Sequence, residues 1–363
     1  MISDRLSNLH LLPPLTTGAW APSQLHPPTR SITRRDGNPV ELELPLFWYE
    51  PPWVQLPVEL AGPLATAVAN LDVVVSALHR DLSDGSETSE LFLPIESDDD
   101  ANQAQFLPRM TPYRAERYGF LPEDFDNTLI IEMRLAPNRD PSGRLAYSPE
   151  QMERWERPPE GSPIAGGGYV AAGSFPADVV TLTQARTKLD QLRRLAPSAA
   201  TFVSIGPYRL QEQIAAALVP IPDGIIIRMD QPEIEGIQLA ALVHRARALM
   251  DEQGFVEAPL WVVPGEVTSR DVAKLIALGA SAVAIDAWCH PLIDMMQESV
   301  PKSRYDRSNI HNIPRIASQQ LWDEIDQVVG LVSSISPSAT AAQSLGTYHP
   351  RWAKACGVSL LIP

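Results

Sequence analysis

The second half of the chain carries strand-like segments at 201–205, 224–228, 260–263 and 282–286, and 260–263 is an apolar run with no polar alternation. Runs of this kind are expected for strands buried on both faces of a parallel sheet. The segments between them, 181–195, 209–218, 237–253 and 269–278, read as helices. The stretch 258–286 is the clearest unit. Thr268 or Ser269 can cap the start of its helix, and Gly279 supplies the left-handed residue that ends it. In the first half, 40–48 reads as a strand, 60–69 as a helix, 71–78 as a second buried strand and 129–133 as a third. A long Gly/Pro loop spans 135–178, and helices near 315–335 and 338–346 close the chain. Strands alternating with helices at this spacing predict an α/β fold with a parallel sheet, a (β/α)8 TIM barrel. The barrel is expected over 38–300, after a Pro-rich N-terminal arm at 1–37 and before a C-terminal helical extension at 301–363.

Composition narrows the function classes. The chain has 363 residues and a net charge of −15, which disfavours nucleic acid and anionic membranes as partners. No apolar run is long enough to span a bilayer, and residues 1–20 lack a signal-peptide layout, so a cytoplasmic protein is expected. Cys289 and Cys356 cannot form a disulfide scaffold or a paired-CxxC zinc site. The 35 prolines stiffen connecting segments, which suits a barrel with elaborated loops. The arm and the tail are candidate contacts for a homo-oligomer or a protein partner.

In such a barrel the chemistry belongs at the carboxyl ends of the strands. Arg134, Arg228 and Arg270 either converge on the mouth to bind a small anionic ligand or pair with Glu132, Asp230 and Glu266. Asp286, Cys289, His290 and Asp294 bring a carboxylate, a thiol and an imidazole to one strand end. Adjacent Cys and His on an extended segment would point to opposite faces, so a buried Cys is the expectation and no metal site is assigned. Gly166–Gly168 follows no strand and reads as a loop. Trp48, Trp53 and Trp288 read as barrel packing that could fill the space of a large ring.

Four collinear segments also resemble the FMN domain of glutamate synthases, a TIM-barrel family. Residues 258–286 are similar to its strand, "GG-x-T-G-x-DV" and "LGAD" pattern, and 38–53 to its first strand. Residues 129–145 match its "IEIKxxQGAKPGxGG" strand and loop, and 179–206 its "SIEDLxxLIxxLKxxxP" helix and "VSVKLV" strand. The resemblance implies FMN lying across the strand ends, with Glu132, Arg134 and Asp230 as catalytic candidates. Arg228, Gly265, Glu266 and Asp286 are the implied cofactor contacts. The chain departs from the family at all three phosphate turns: 228–233 has no glycine, 263–266 keeps one of a pair, and 285–288 has Asp and Ala for Gly and Thr. The flavin-stabilising lysine falls on Gly206, and the cysteine cluster for iron–sulfur chemistry is absent. The sequence therefore favours a barrel with a degenerate FMN site, without standard glutamate synthase activity, kept as a binding or assembly subunit. The alternative is an FMN-dependent oxidoreductase acting on an amino acid or imine. A lyase or isomerase using the mouth carboxylates ranks third, because no ligand spacing supports it.

Overall fold

The computed structural model describes residues 4–12, 30–56, 58–76, 109–113, 122–125, 128–135, 146–147, 170–171, 182–230, 234–298, 307–335 and 341–362. The segments at 79–85, 96–100 and 166–168 lie outside them.

Eight parallel strands close into a barrel. In chain order they are β1 (Leu46–Trp48), β2 (Val74–Ser76), β3 (Arg109–Tyr113), β4 (Ile130–Arg134), β5 (Ala200–Ile205), β6 (Gly224–Arg228), β7 (Leu260–Val263) and β8 (Ala282–Ala284). Each pairs with the next, and Val283 against Leu46 closes the ring between β8 and β1. The fold is a (β/α)8 TIM barrel.

Strand alternation sorts the side chains into two layers. Phe47, Val74, Met110, Ile130, Phe202, Ile226 and Trp261 form one cluster, which fills the lumen. Phe47 and Phe202 pack on Trp261 with ring centroids at 4.6 and 5.0 Å. Gly224 sits under the Phe202 ring, where a Cβ would come within 2.5 Å of a ring carbon, so this position has no room for a side chain. The antiparallel hairpin of Arg30–Thr33 and Pro39–Leu42 adds Ile32, Val40 and Leu42 to the same cluster. It thereby covers the apolar end of the lumen. Leu46, Trp48, Val75, Val203, Ile225, Val262 and Val283 face outward into the layer shared with the helices.

Those helices are α1 (Val58–Ala69), α2 (Leu182–Leu195), α3 (Leu210–Leu218), α4 (Gly236–Glu252), α5 (Ser269–Ala277), α6 (Asp286–Glu298), α7 (Arg307–Ser333) and α8 (Pro350–Cys356). Thr268 caps α5 in a capping box with Asp271. The long helix α7 packs on α1 and α5, so part of the segment assigned to an extension lies directly against the barrel helices. The arm is also built in. Leu6 and Leu9 are buried, and His10–Leu11 pairs with Leu345–Thr347, which in turn pairs with Ser359–Leu360.

Local expectations at several strand ends needed correction. The strand expected over 40–48 is two strands, broken at 43–45, with Pro45 directly before β1. The strand expected over 71–78 starts only at Val74, because Asp72 adopts φ +60° in a turn, and residues 77–78 lie outside the described ones. Asp286 does not end β8 but opens α6.

Candidate active site

The lumen changes character toward the carboxyl ends of the strands. Two residues beyond the aromatic layer, the inward positions become Tyr49 after Phe47, Ser76 after Val74, Glu132 after Ile130, Ser204 after Phe202 and Arg228 after Ile226. Arg134 follows Glu132 at the same parity. Glu132 is fully buried and accepts from the Tyr49 hydroxyl at 3.0 Å and from the Ser204 hydroxyl, both on Oε1. The Arg134 guanidinium donates to the Tyr49 oxygen at 2.8 Å and pairs with Glu50. It also lies 5.9 Å from the Tyr49 ring centroid, within cation–π range. Tyr49 thus joins a carboxylate to a guanidinium.

Burial pushes the Tyr49 hydroxyl well above the ordinary phenol range, against the opposing pull of Arg134. The phenol therefore stays protonated at neutral pH. Burial pushes the Arg228 pKa down, as does its neighbour Arg134, while Tyr49, Glu50 and Asp230 oppose the shift. Arg228 is 6% exposed, and its buried Nε has no hydrogen-bond partner among the described residues. Nor does any described carboxylate lie within ion-pair distance of it, in contrast to Arg134.

The remaining sequence-assigned residues divide. Asp230 follows Arg228 by two positions, and its backbone touches the β7 loop, where a Cβ on Gly265 would meet Asp230 Cα at 3.3 Å. Gly265 has φ +75°, a conformation that favours glycine. Glu266 is exposed, and so is Arg270, which stands apart from the two buried arginines. Asp286 accepts the Tyr49 backbone N–H at 2.7 Å, tying the end of β1 to the start of α6. The expected pairing of Arg134 with Glu132 is replaced by Glu50 and a Tyr49 bridge. Cys289 and His290 lie in a helix, not on an extended segment. Cys289 is buried and His290 is exposed, so the two side chains diverge. Trp48, Trp53 and Trp288 all belong to the outer layer, and the Trp288 indole donates to the Val267 carbonyl at 2.8 Å. The lumen tryptophan is Trp261.

No family model matches this sequence, and no curated protein does. Solved structures do align with it. A mandelate oxidase variant with a monooxide FMN adduct is 12% identical over 90% of this chain and 84% of its own, with a TM-score of 0.48. Mandelate oxidase with benzoyl-formic acid is 13% identical over 90% and 83%, also at 0.48. A protein assigned as a lactate oxidase from Pediococcus acidilactici is 11% identical over 91% and 83%, at 0.46. The chain is similar to these proteins at a level that sets no activity, and membership of the glutamate synthase family is not shown.

The residues themselves test the fit to FMN. At the ring end, Arg134 and Arg228 bring positive charge to the strand ends, where a reduced flavin needs it. The phosphate end differs. Pro264 has no N–H to offer, and the carbonyls of Pro264 and Glu266 are engaged by Arg5. At the start of α6 the N–H groups of Trp288 and Cys289 return to the Ile285 carbonyl. Asp286 adds a carboxylate at that same helix start, where a phosphate would otherwise be favoured. Among the described residues, the glycine-lined phosphate cradle of flavin barrels is not formed. Tyr49, Glu50 and Ser204 escaped the sequence reading, although the signal was there: Tyr49 and Glu50 follow directly on a strand, Ser204 lies within 201–205, and Tyr49 and Ser204 keep the inward parity.

Proposed function

We propose that the barrel mouth binds a small organic anion, a carboxylate in the first instance, and acts on it by proton transfer. The observation that carries this reading is Arg228, a buried guanidinium whose Nε lacks a partner among the described residues. A carboxylate is the planar acceptor that a guanidinium fork fits best. Beside it, a proton leaving the ligand can pass to the Tyr49 oxygen while the phenol gives its own proton to Glu132. Arg134 and Glu50 hold Tyr49 in line for that relay. A scaffold without a ligand has no use for this cluster, since taking an ion out of water costs several kcal/mol. The inactive-barrel reading therefore falls behind.

A second reading is FMN-dependent oxidation of such an anion, favoured by the two guanidiniums at the strand ends. The same cations would then lie against the pyrimidine edge of the ring. The amine or imine donor implied by the resemblance gains no support from the described residues.

Both readings are tested on the purified full chain. Oxalate, pyruvate and benzoate are titrated against tryptophan fluorescence, and an Arg228→Gln variant is run alongside. Saturable binding that the variant loses supports the anion site, whereas equal binding by both proteins removes it. A visible flavin spectrum, or micromolar FMN binding, moves the assignment to the oxidoreductase. A colourless protein that ignores millimolar FMN leaves acid–base chemistry.

A further inference from the structure

Residues 4–6 of the N-terminal arm are seated on the loops that carry the mouth. The Arg5 guanidinium donates to the carbonyl oxygens of Pro264 at 2.6 Å and Glu266 at 3.4 Å on the β7 loop, and to Ile234 between β6 and α4. The fully buried Asp271 carboxylate, in the first turn of α5, accepts the backbone N–H of Arg5 at 3.1 Å and of Leu6 at 2.9 Å. Lys274 adds a second clasp, donating to both Asp4 carboxylate oxygens at 3.1 Å and to the Leu6 carbonyl at 2.9 Å. Gly236, the first residue of α4, leaves space for the chain. A Cβ there would stand 2.0 Å from the Arg5 carbonyl oxygen. The arm is thus bound at both its backbone and its side chains, through a complementary groove between α4 and α5.

We propose that Arg5 is a positioning residue for the mouth, acting as a strap that fixes the β6 and β7 loops to each other. The route to the site is short. Arg5 holds the carbonyls on both sides of Gly265, Gly265 packs against Asp230, and Asp230 lies two residues beyond Arg228. The Met229 N–H, donating to the Val263 carbonyl at 2.7 Å, couples the same two strand ends. Turning carbonyl oxygens toward an arginine also leaves the β7 loop poorly placed to cradle a phosphate. The arm therefore acts on the selectivity of the mouth as well as on its rigidity. The claim about the loops stands on these contacts alone, and the claim about ligand affinity rests on the carboxylate reading of Arg228.

Amide hydrogen exchange of the full chain separates the two claims. In Arg5→Ala, the Met229 and Thr268 amides should exchange roughly tenfold faster, with Leu189 and Ile214 in α2 and α3 unchanged. Arg5→Lys should restore only part of the protection, because an ammonium cannot span three carbonyls as a fork does. Gly236→Ala displaces the arm by pushing on the Arg5 backbone, with the Arg5 side chain kept, and should reproduce the Arg5→Ala pattern. Unchanged exchange at Met229 and Thr268, or equal acceleration at all four amides, overturns the strap. Benzoate affinity should fall several-fold in Arg5→Ala without vanishing, and full affinity in a variant with loosened loops overturns the positioning role. If the wild-type chain binds no carboxylate, the mouth reading fails, and the exchange pattern still decides the strap.

Discussion

Replacing Tyr49 with Phe removes one oxygen and leaves the ring, its contact with Phe47 and the backbone in place. That oxygen donates to Glu132 at 3.0 Å and accepts from Arg134 at 2.8 Å, in a site too buried for solvent to take over either bond. A hydrogen bond to a charged group contributes about 1.5–3 kcal/mol, so two independent losses would cost about 3–6 kcal/mol. They are not independent. Glu132 keeps Ser204 and Arg134 keeps Glu50, so the expected destabilisation is about 2–4 kcal/mol. Urea unfolding followed by tryptophan fluorescence measures it as a lower midpoint at constant m-value. Tyr348→Phe serves as the control, since this side chain is exposed and should change stability by less than about 0.5 kcal/mol. Adding Ser204→Ala should show coupling, because both hydroxyls donate to the same Glu132 oxygen. A Tyr49→Phe protein as stable as wild type would mean that the phenol oxygen bridges nothing. The proton relay would then lose its central member.

Two further outcomes test the environment of single groups. Burial, reinforced by Asp286, pushes the Cys289 thiol up, and burial pushes Cys356 up to about 11. With both side chains out of contact with water, neither should react with a disulfide reagent at pH 8, and both should do so once the chain is unfolded; rapid native reaction refutes their placement. Burial and the nearby Arg245 hold the His244 imidazole below its ordinary value. The unfolded chain therefore takes up this proton first as pH falls, so the stability contribution is present above the unfolded imidazole range and is lost on passing down through it. The slope should stay well under about 1.4 kcal/mol per pH unit, because the ring is only half-buried, and a His244→Gln protein should lack it; equal slopes in the two proteins refute the assignment.

The second half of the barrel was legible because its strands are buried on both faces. β6 and β7 have the bounds that their apolar runs define, and α2, α3, α4 and α5 fall within a residue of expectation. β3 was missed because Arg-Met-Thr-Pro-Tyr contains no apolar run, and its partners in the ring are what make it a strand. The helix expected to begin near 315 starts at Arg307 and carries Pro314 inside it, since packing on α1 and α5 outweighs the proline. Of the assigned site residues, Glu132, Arg134 and Arg228 lie in the buried cluster, whereas Glu266 is exposed and Asp286 holds a backbone amide. Sequence position alone could not separate these roles. Nor could it show that Arg5 reaches Pro264, because that contact spans 259 positions and leaves no periodic trace.

The site follows from one feature of the lumen. Five of the eight inward columns run from apolar to polar in a single step of two residues: Phe47 to Tyr49, Val74 to Ser76, Ile130 to Glu132, Phe202 to Ser204, Ile226 to Arg228. Below the step, aromatic rings and the capping hairpin exclude water, so nothing there can stabilise a charge. Above it, Glu132 and Arg134 hold each other through Tyr49, while Arg228 faces the mouth with a donor left over. A low-polarity floor strengthens every electrostatic interaction just above it. An anion entering this mouth would meet Arg228 where a guanidinium is most attractive, and the Tyr49–Glu132 pair where a proton is most easily passed on. A barrel that served only as a scaffold would gain stability by replacing those three charged groups with apolar ones of similar size. Glu132 and Arg134 on β4 and Arg228 on β6, with the Ser204 hydroxyl on β5 between them, are the arrangement from which the anion site is proposed.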